Sequence, residues 1–219
     1  MVAGHFAVAL VIKARAPRVP SLLLLLAVQL PDWIWLILAW LGEERGRWIT
    51  ATGLPYLQFD YAPYSHSLFW TVFYSLVVFL LFIGAREQRH WAVPLSLGVL
   101  SHWPLDWLVH HADLPLANFG PLIKLGLGLQ SLAPGAAHAL ELLLLLAGWG
   151  VYYRSLRRAA DRQRVFARQG LLLLLAAWLA LLLFASWRTA VYSAPSLLAD
   201  EVPVCCSRDG LPEAAKAVA

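Results

Sequence analysis

The chain alternates long apolar runs with short polar interruptions. The runs cover residues 2–12, 21–41, 66–84, 92–110, 137–153 and 170–187. A helix rises 1.5 Å per residue, so a bilayer span needs about 20 predominantly apolar residues. All runs but the first approach that length. Residues 2–12 are too short and predict a helix that enters the bilayer part way. The expected fold is therefore all-α: a polytopic membrane helix bundle of about five spans plus a short half-inserted N-terminal helix. The run 21–41 is interrupted at Leu30-Pro31-Asp32. Proline breaks or kinks a helix, which puts Asp32 at or just after a kink. Ser65 reads as an N-cap that sets His66 in the first turn of the next span. The connections 42–65 and 111–136 read as irregular segments.

Composition supports a membrane chain. Of 219 residues, 60% are hydrophobic and only 14% are charged, with 11 Trp. A soluble domain has about a quarter of its residues charged. The net charge of +4 comes largely from Arg clusters beside apolar runs, a topology signal and not a nucleic-acid footprint. Lys13–Arg18, Arg86/Arg89 and the Arg-rich linker 154–169 lie on alternate connections. The positive-inside rule makes that side cytoplasmic. The N-terminus then enters from the cytoplasmic side, and the tail carrying Cys205 and Cys206 lies on the outer face. Residues 1–153 form the main membrane domain. Residues 154–219 add the cytoplasmic linker, a fifth transmembrane helix and the outer tail.

Ionisable groups at membrane depth are costly and point to function. His102, Asp106 and His110 recur at i, i+4 and i+8, which places them on one face of a helix. Counting along the runs puts His5, Asp32 and His102 about 12, 16 and 15 Å from the inner face. His66 and His138 enter from the outer side, as does Glu141. These residues predict a funnel that opens outward. Mixed imidazole and carboxylate donors suit a divalent metal, Zn²⁺ first, with Mn²⁺ or Fe²⁺ as other choices. The expected ligands are His5, Asp32, His66, His102, Asp106 and His110, and Glu141 or Asp113 is the expected general base.

Several short motifs occur in order: Gly4-His5-Phe6, Gln29-Leu-Pro-Asp32, Tyr64-Ser-His66-Ser67-Leu68 and Ser101-His102-Trp-Pro-Leu-Asp106, then Asp113-Leu-Pro-Leu116 and Gly126-Leu-Gly128-Leu129. Together they resemble the bacterial family of predicted membrane-bound metal-dependent hydrolases, the YdjM-like group, over roughly residues 1–150. The resemblance implies a multi-pass protein of the bacterial inner membrane. Its metal site would use His5, Asp32, His66, His102 and Asp106. Many members carry a second acidic residue just after Leu-Pro-Asp. Here Trp33-Ile34-Trp35 takes that place, which leaves the ligand count open. The functional expectation is a metal-dependent hydrolase acting on a lipid or membrane-associated ester or phosphoester. Its partners would be the lipid bilayer and a lipid substrate, and no nucleic acid. The alternative is a non-catalytic membrane subunit docking in a larger membrane complex, its His/Asp cluster structural or merely binding a metal or pigment.

Overall fold

The computed structural model describes residues 2–51, 54–119 and 123–158. Two prolines set the geometry of its centre. Pro31 has no N–H, and its ring crowds the preceding turn. Helix α2 (Ser21–Val28) therefore stops at Gln29, and α3 (Leu30–Trp40) leaves at 58° to it. Pro104 acts in the same way on the carbonyl of Leu100. Helix α5 (Ala92–Leu100) ends there and α6 (His102–Val109) begins. Between them the Ser101 hydroxyl donates to the Gly98 carbonyl at 2.7 Å. The apolar run 92–110 is thus two short helices, and the second stops at Val109. His110 lies beyond it in extended backbone, so the i, i+4, i+8 stripe loses its last member.

Helix α1 (Val2–Arg15) lies along α8 (Pro134–Arg158). Gly148 permits the approach. A Cβ there would sit 2.7 Å from the Ala7 carbonyl oxygen and 3.0 Å from its Cα. Gly148→Ala should therefore push α1 off α8 and cost about 1–3 kcal/mol, as overpacking does. A thermal melt of the purified variant checks this, and an unchanged melting temperature would contradict the close approach. Ala9, Leu24, Val28, Leu95 and Val99 form a core shared by α1, α2 and α5. Lys13 is buried at the turn into α2, where its ammonium donates to the carbonyls of Pro17 and Val19 at 2.9 and 2.6 Å. Burial pushes that ammonium below its ordinary pKa.

Helix α4 (Leu68–Ile83) is polar inside and apolar outside. Thr71 and Ser75 are buried, while Val72, Phe73, Leu76 and Leu80 are exposed. Ser75 donates across the helix interface to the Ser96 carbonyl at 2.8 Å. The helix begins at Leu68 and not near residue 66. Ser67 is its N-cap, its hydroxyl accepting from the Trp70 N–H. Ser65 and His66 precede the helix, and Ser65 has a different partner.

The connection 42–65 holds an antiparallel hairpin, β1 (Arg45–Ala51) with β2 (Leu54–Tyr61). A minimal pair, β3 (Leu114–Pro115) with β4 (Lys124–Leu125), and a single turn, α7 (Leu129–Leu132), organise part of 111–136. The expectation of an all-α bundle is corrected on that count.

The expectation of about five spans is also corrected. Among the described residues one helix, Pro134–Arg157, is long and apolar enough by itself to cross a membrane. The bent pair α2–α3 makes a second only if both halves form one span. With 16 residues, α4 is about 24 Å long, short of a hydrocarbon core of about 30 Å. The prolines and the early stop of α6 shorten what the apolar count alone made into spans. The expected fifth span, residues 170–187, lies outside the described residues, as do Cys205 and Cys206.

Candidate metal centre

Asp32, His66, His102 and Asp106 each offer one donor atom to a common point, and these atoms all lie within 4.8 Å of one another. The residues come from three places. Asp32 stands in the first turn of α3, just past Pro31. His66 precedes the Ser67 cap of α4. His102 and Asp106 are one helical turn apart on α6, where side chains at i and i+4 share a face.

Four separations between these side chains define the geometry. His102 Nε2 is 3.0 Å from Asp106 Oδ2 and 3.5 Å from Asp32 Oδ1. His66 Nε2 is 3.3 Å from Asp32 Oδ1 and 3.8 Å from Asp106 Oδ2. Around a divalent ion with bonds of about 2.1 Å, tetrahedral ligands lie about 3.4 Å apart. The observed spacings bracket that edge, so these residues fit a small divalent ion.

The far sides of both imidazoles fix which nitrogen faces the centre. His102 Nδ1 lies 2.8 Å from the carbonyl of Val28. A carbonyl can only accept, so Nδ1 carries the proton and, in the neutral ring, Nε2 holds the lone pair. Val28 is the last residue of α2, and carbonyls at a helix end lack intrahelical donors. The break at Pro31 thus contributes both Asp32 and the acceptor that orients His102. His66 Nδ1 lies 2.8 Å from Ser65 Oγ, and Ser65 Oγ donates to Glu44 Oε2. The serine proton is committed to the carboxylate, so His66 Nδ1 is again the donor, while Nε2 faces Asp32 Oδ1 at 3.3 Å. Metal-ligating histidines commonly have their other nitrogen held in this way.

Three of the four residues are almost fully buried, whereas the side chain of Asp32 keeps 30% of its exposure. The centre is reached from the Asp32 side. Phe59 of β2 covers another side, its ring centroid 4.3 Å from that of His66 and 5.0 Å from that of His110.

The other expected site residues lie around this group. His5 is buried and stacks on His102 at 3.8 Å. Its Nε2 is 3.2 Å from Asp106 Oδ1, whereas Oδ2 is the oxygen nearest His102 and His66. His110 sits with Asp113, its Nδ1 3.5 Å from Oδ1, and stacks on Phe59. Asp113 Oδ2 accepts from the Phe59 N–H at 2.8 Å, which ties the hairpin to the segment after α6. Glu141 Oε2 accepts from the Ala3 N–H at 3.1 Å and so holds the start of α1. His138 is exposed on the first turns of α8 and bonds the Pro134 carbonyl. The residues that the sequence did not single out are Glu44, Phe59 and Val28.

Compared with known protein families, curated proteins and solved structures, the chain matches none.

Proposed function

We propose that the chain is a metal-dependent hydrolase of a membrane, acting on a lipid or other membrane-associated ester or phosphoester. Its metal is held by Asp32, His66, His102 and Asp106. The observation that carries this reading is the convergence of four donor atoms at metal-ligand spacing, with both imidazoles oriented from behind. Two imidazoles with two carboxylates suit Zn²⁺, and also Mn²⁺ or Fe²⁺. When bound, such an ion polarises an ester or phosphoryl oxygen and makes water a nucleophile at neutral pH. The chain's own residues do the rest. His5 holds Oδ1 of Asp106, Val28 and Ser65 hold the imidazoles, and the partly exposed Asp32 marks the side from which water and substrate arrive.

The membrane assignment is supported by the inside-out character of α4. Buried Thr and Ser with exposed Leu, Val and Phe are expected where lipid is the solvent. The long apolar α8 supports it too. The proposed location, the bacterial inner membrane, rests on the resemblance to the membrane-bound hydrolase family.

The test is hydrolysis by the full-length protein in detergent or vesicles. The substrates are phosphatidic acid, phosphatidylglycerol and a carboxylic ester lipid. Wild-type protein loaded with Zn²⁺ or Mn²⁺ should release product from at least one. A chelator should abolish the reaction, added metal should restore it, and His66→Ala should be inactive. Metal-loaded protein that turns over none of them would remove the hydrolase reading. It would favour the second one, a non-catalytic membrane subunit, because four protein donors are enough to close a structural tetrahedral site. That subunit would copurify with a larger assembly, which His66→Ala would leave intact if the cluster serves no assembly role.

A further inference from the structure

The hairpin is joined to the metal centre through a buried carboxylate. Glu44 immediately precedes β1 and is 2% exposed. Its Oε1 accepts from the N–H groups of Tyr64 and Ser65 at 2.7 and 3.0 Å. Its Oε2 accepts from the Ser65 hydroxyl. The same hydroxyl oxygen then faces His66 Nδ1 at 2.8 Å. The result is a directed chain from carboxylate to hydroxyl to imidazole, ending at Nε2 in the four-donor group.

Resting on the metal-site reading above, we propose that Glu44 is a positioning residue for metal binding, acting through Ser65 to hold His66 in its Nδ1–H tautomer. A serine hydroxyl alone does not choose a tautomer, because it both donates and accepts. With its proton taken by Glu44, Ser65 can only accept from His66. The Nδ1–H form is then selected, and Nε2, which faces Asp32 Oδ1 at 3.3 Å, is the nitrogen left to a metal. Hydrogen bonds to a carboxylate are about twice as strong as neutral ones, which makes the selection firm. The two backbone bonds fix Glu44 itself, so the group is held in place before any ion arrives. Changes in such outer partners typically cost 10–100-fold in metal affinity.

The experiment uses the full-length chain in detergent with Co²⁺ as the probe, read by its visible absorption, and ¹⁵N-labelled histidine spectra of the metal-free protein. Ser65→Ala breaks the chain at its middle and leaves both backbone bonds to Glu44 available. It should weaken Co²⁺ binding by about 10–100-fold and shift His66 away from the Nδ1–H form. Glu44→Gln keeps the size of the side chain and removes its charge, and it should change the His66 spectrum in the same direction. If wild type binds Co²⁺ and Ser65→Ala binds it equally, with an unchanged His66 tautomer, Glu44 only holds the backbone and the inference fails while the metal site stands. If wild type binds no Co²⁺, the metal site fails, and the positioning role fails with it. The histidine spectra need no metal, so they also test the tautomer when a variant binds too weakly to titrate.

Discussion

Asp106→Asn should lower the affinity for Zn²⁺ or Co²⁺ by more than about 100-fold, beyond the 10–100-fold usual for outer partners. Asp106 is the most connected member of the centre. Its Oδ2 lies 3.0 Å from His102 Nε2 and 3.8 Å from His66 Nε2, and its Oδ1 lies 3.2 Å from His5 Nε2. Asparagine has the same shape but no charge, and an amide oxygen is a poor substitute for a carboxylate on a small divalent ion. The fold should largely survive, since the side-chain volume is unchanged. Isothermal titration of the metal-free protein reads the loss. His5→Ala is the companion variant. It removes the group behind the carboxylate and not a donor, so its cost should stay within the outer-partner range. Equal losses for both variants would mean that His5 is itself a ligand.

Phe59→Ala should produce the largest change in stability, about 3–5 kcal/mol, the range for deleting a buried Phe. Phe59 is 3% exposed and packs with Trp35, Trp103 and Leu114. Its ring also covers His66 and His110. Its N–H is held by Asp113, a bond that truncating the side chain leaves in place. The loss is therefore one of packing, and the cavity borders the metal centre. Denaturant or thermal unfolding reads the first effect. The second is a fall in metal affinity smaller than that of Asp106→Asn, because no donor is removed. A Phe59→Ala protein as stable as wild type would show that the hairpin is not part of the core around the site.

The site was more legible in the sequence than the fold. Asp32, His66, His102 and Asp106 stand in short polar interruptions of apolar runs, where a charge has few structural excuses. The pair His102/Asp106 needed only the helical period. The break at Pro31 followed from proline's missing donor and was met at that place. His110 illustrates the limit of periodicity: the stripe assumed that the helix continued, whereas α6 ends at Val109 and turns His110 toward Asp113. Helix ends are set by tertiary contacts as much as by local sequence. The count of spans failed for a related reason, since an apolar run broken by Pro104 is long enough on paper but makes two short helices.

The hairpin has a trace in the sequence. Aromatic and β-branched residues on both sides of Thr52-Gly53 are a strand–turn–strand signal, which the charged residues around it obscured. Glu44 left none. In Glu43-Glu44-Arg45 it looks like any solvated turn residue, and only the fold shows that it is buried against Ser65. Exposure of the apolar face of α4 was not legible either, because sequence pattern gives which residues share a face and not which face meets the core.

Asp32, His66, His102 and Asp106 are proposed to hold a divalent ion. Elemental analysis of full-length wild-type protein, purified under mild conditions without chelator, tests it most directly. About one equivalent of Zn, Mn or Fe per chain is expected, absent from the His102→Ala protein purified alongside. Wild-type protein that carries no metal, and takes up none when Zn²⁺, Mn²⁺ or Fe²⁺ is supplied, would contradict it.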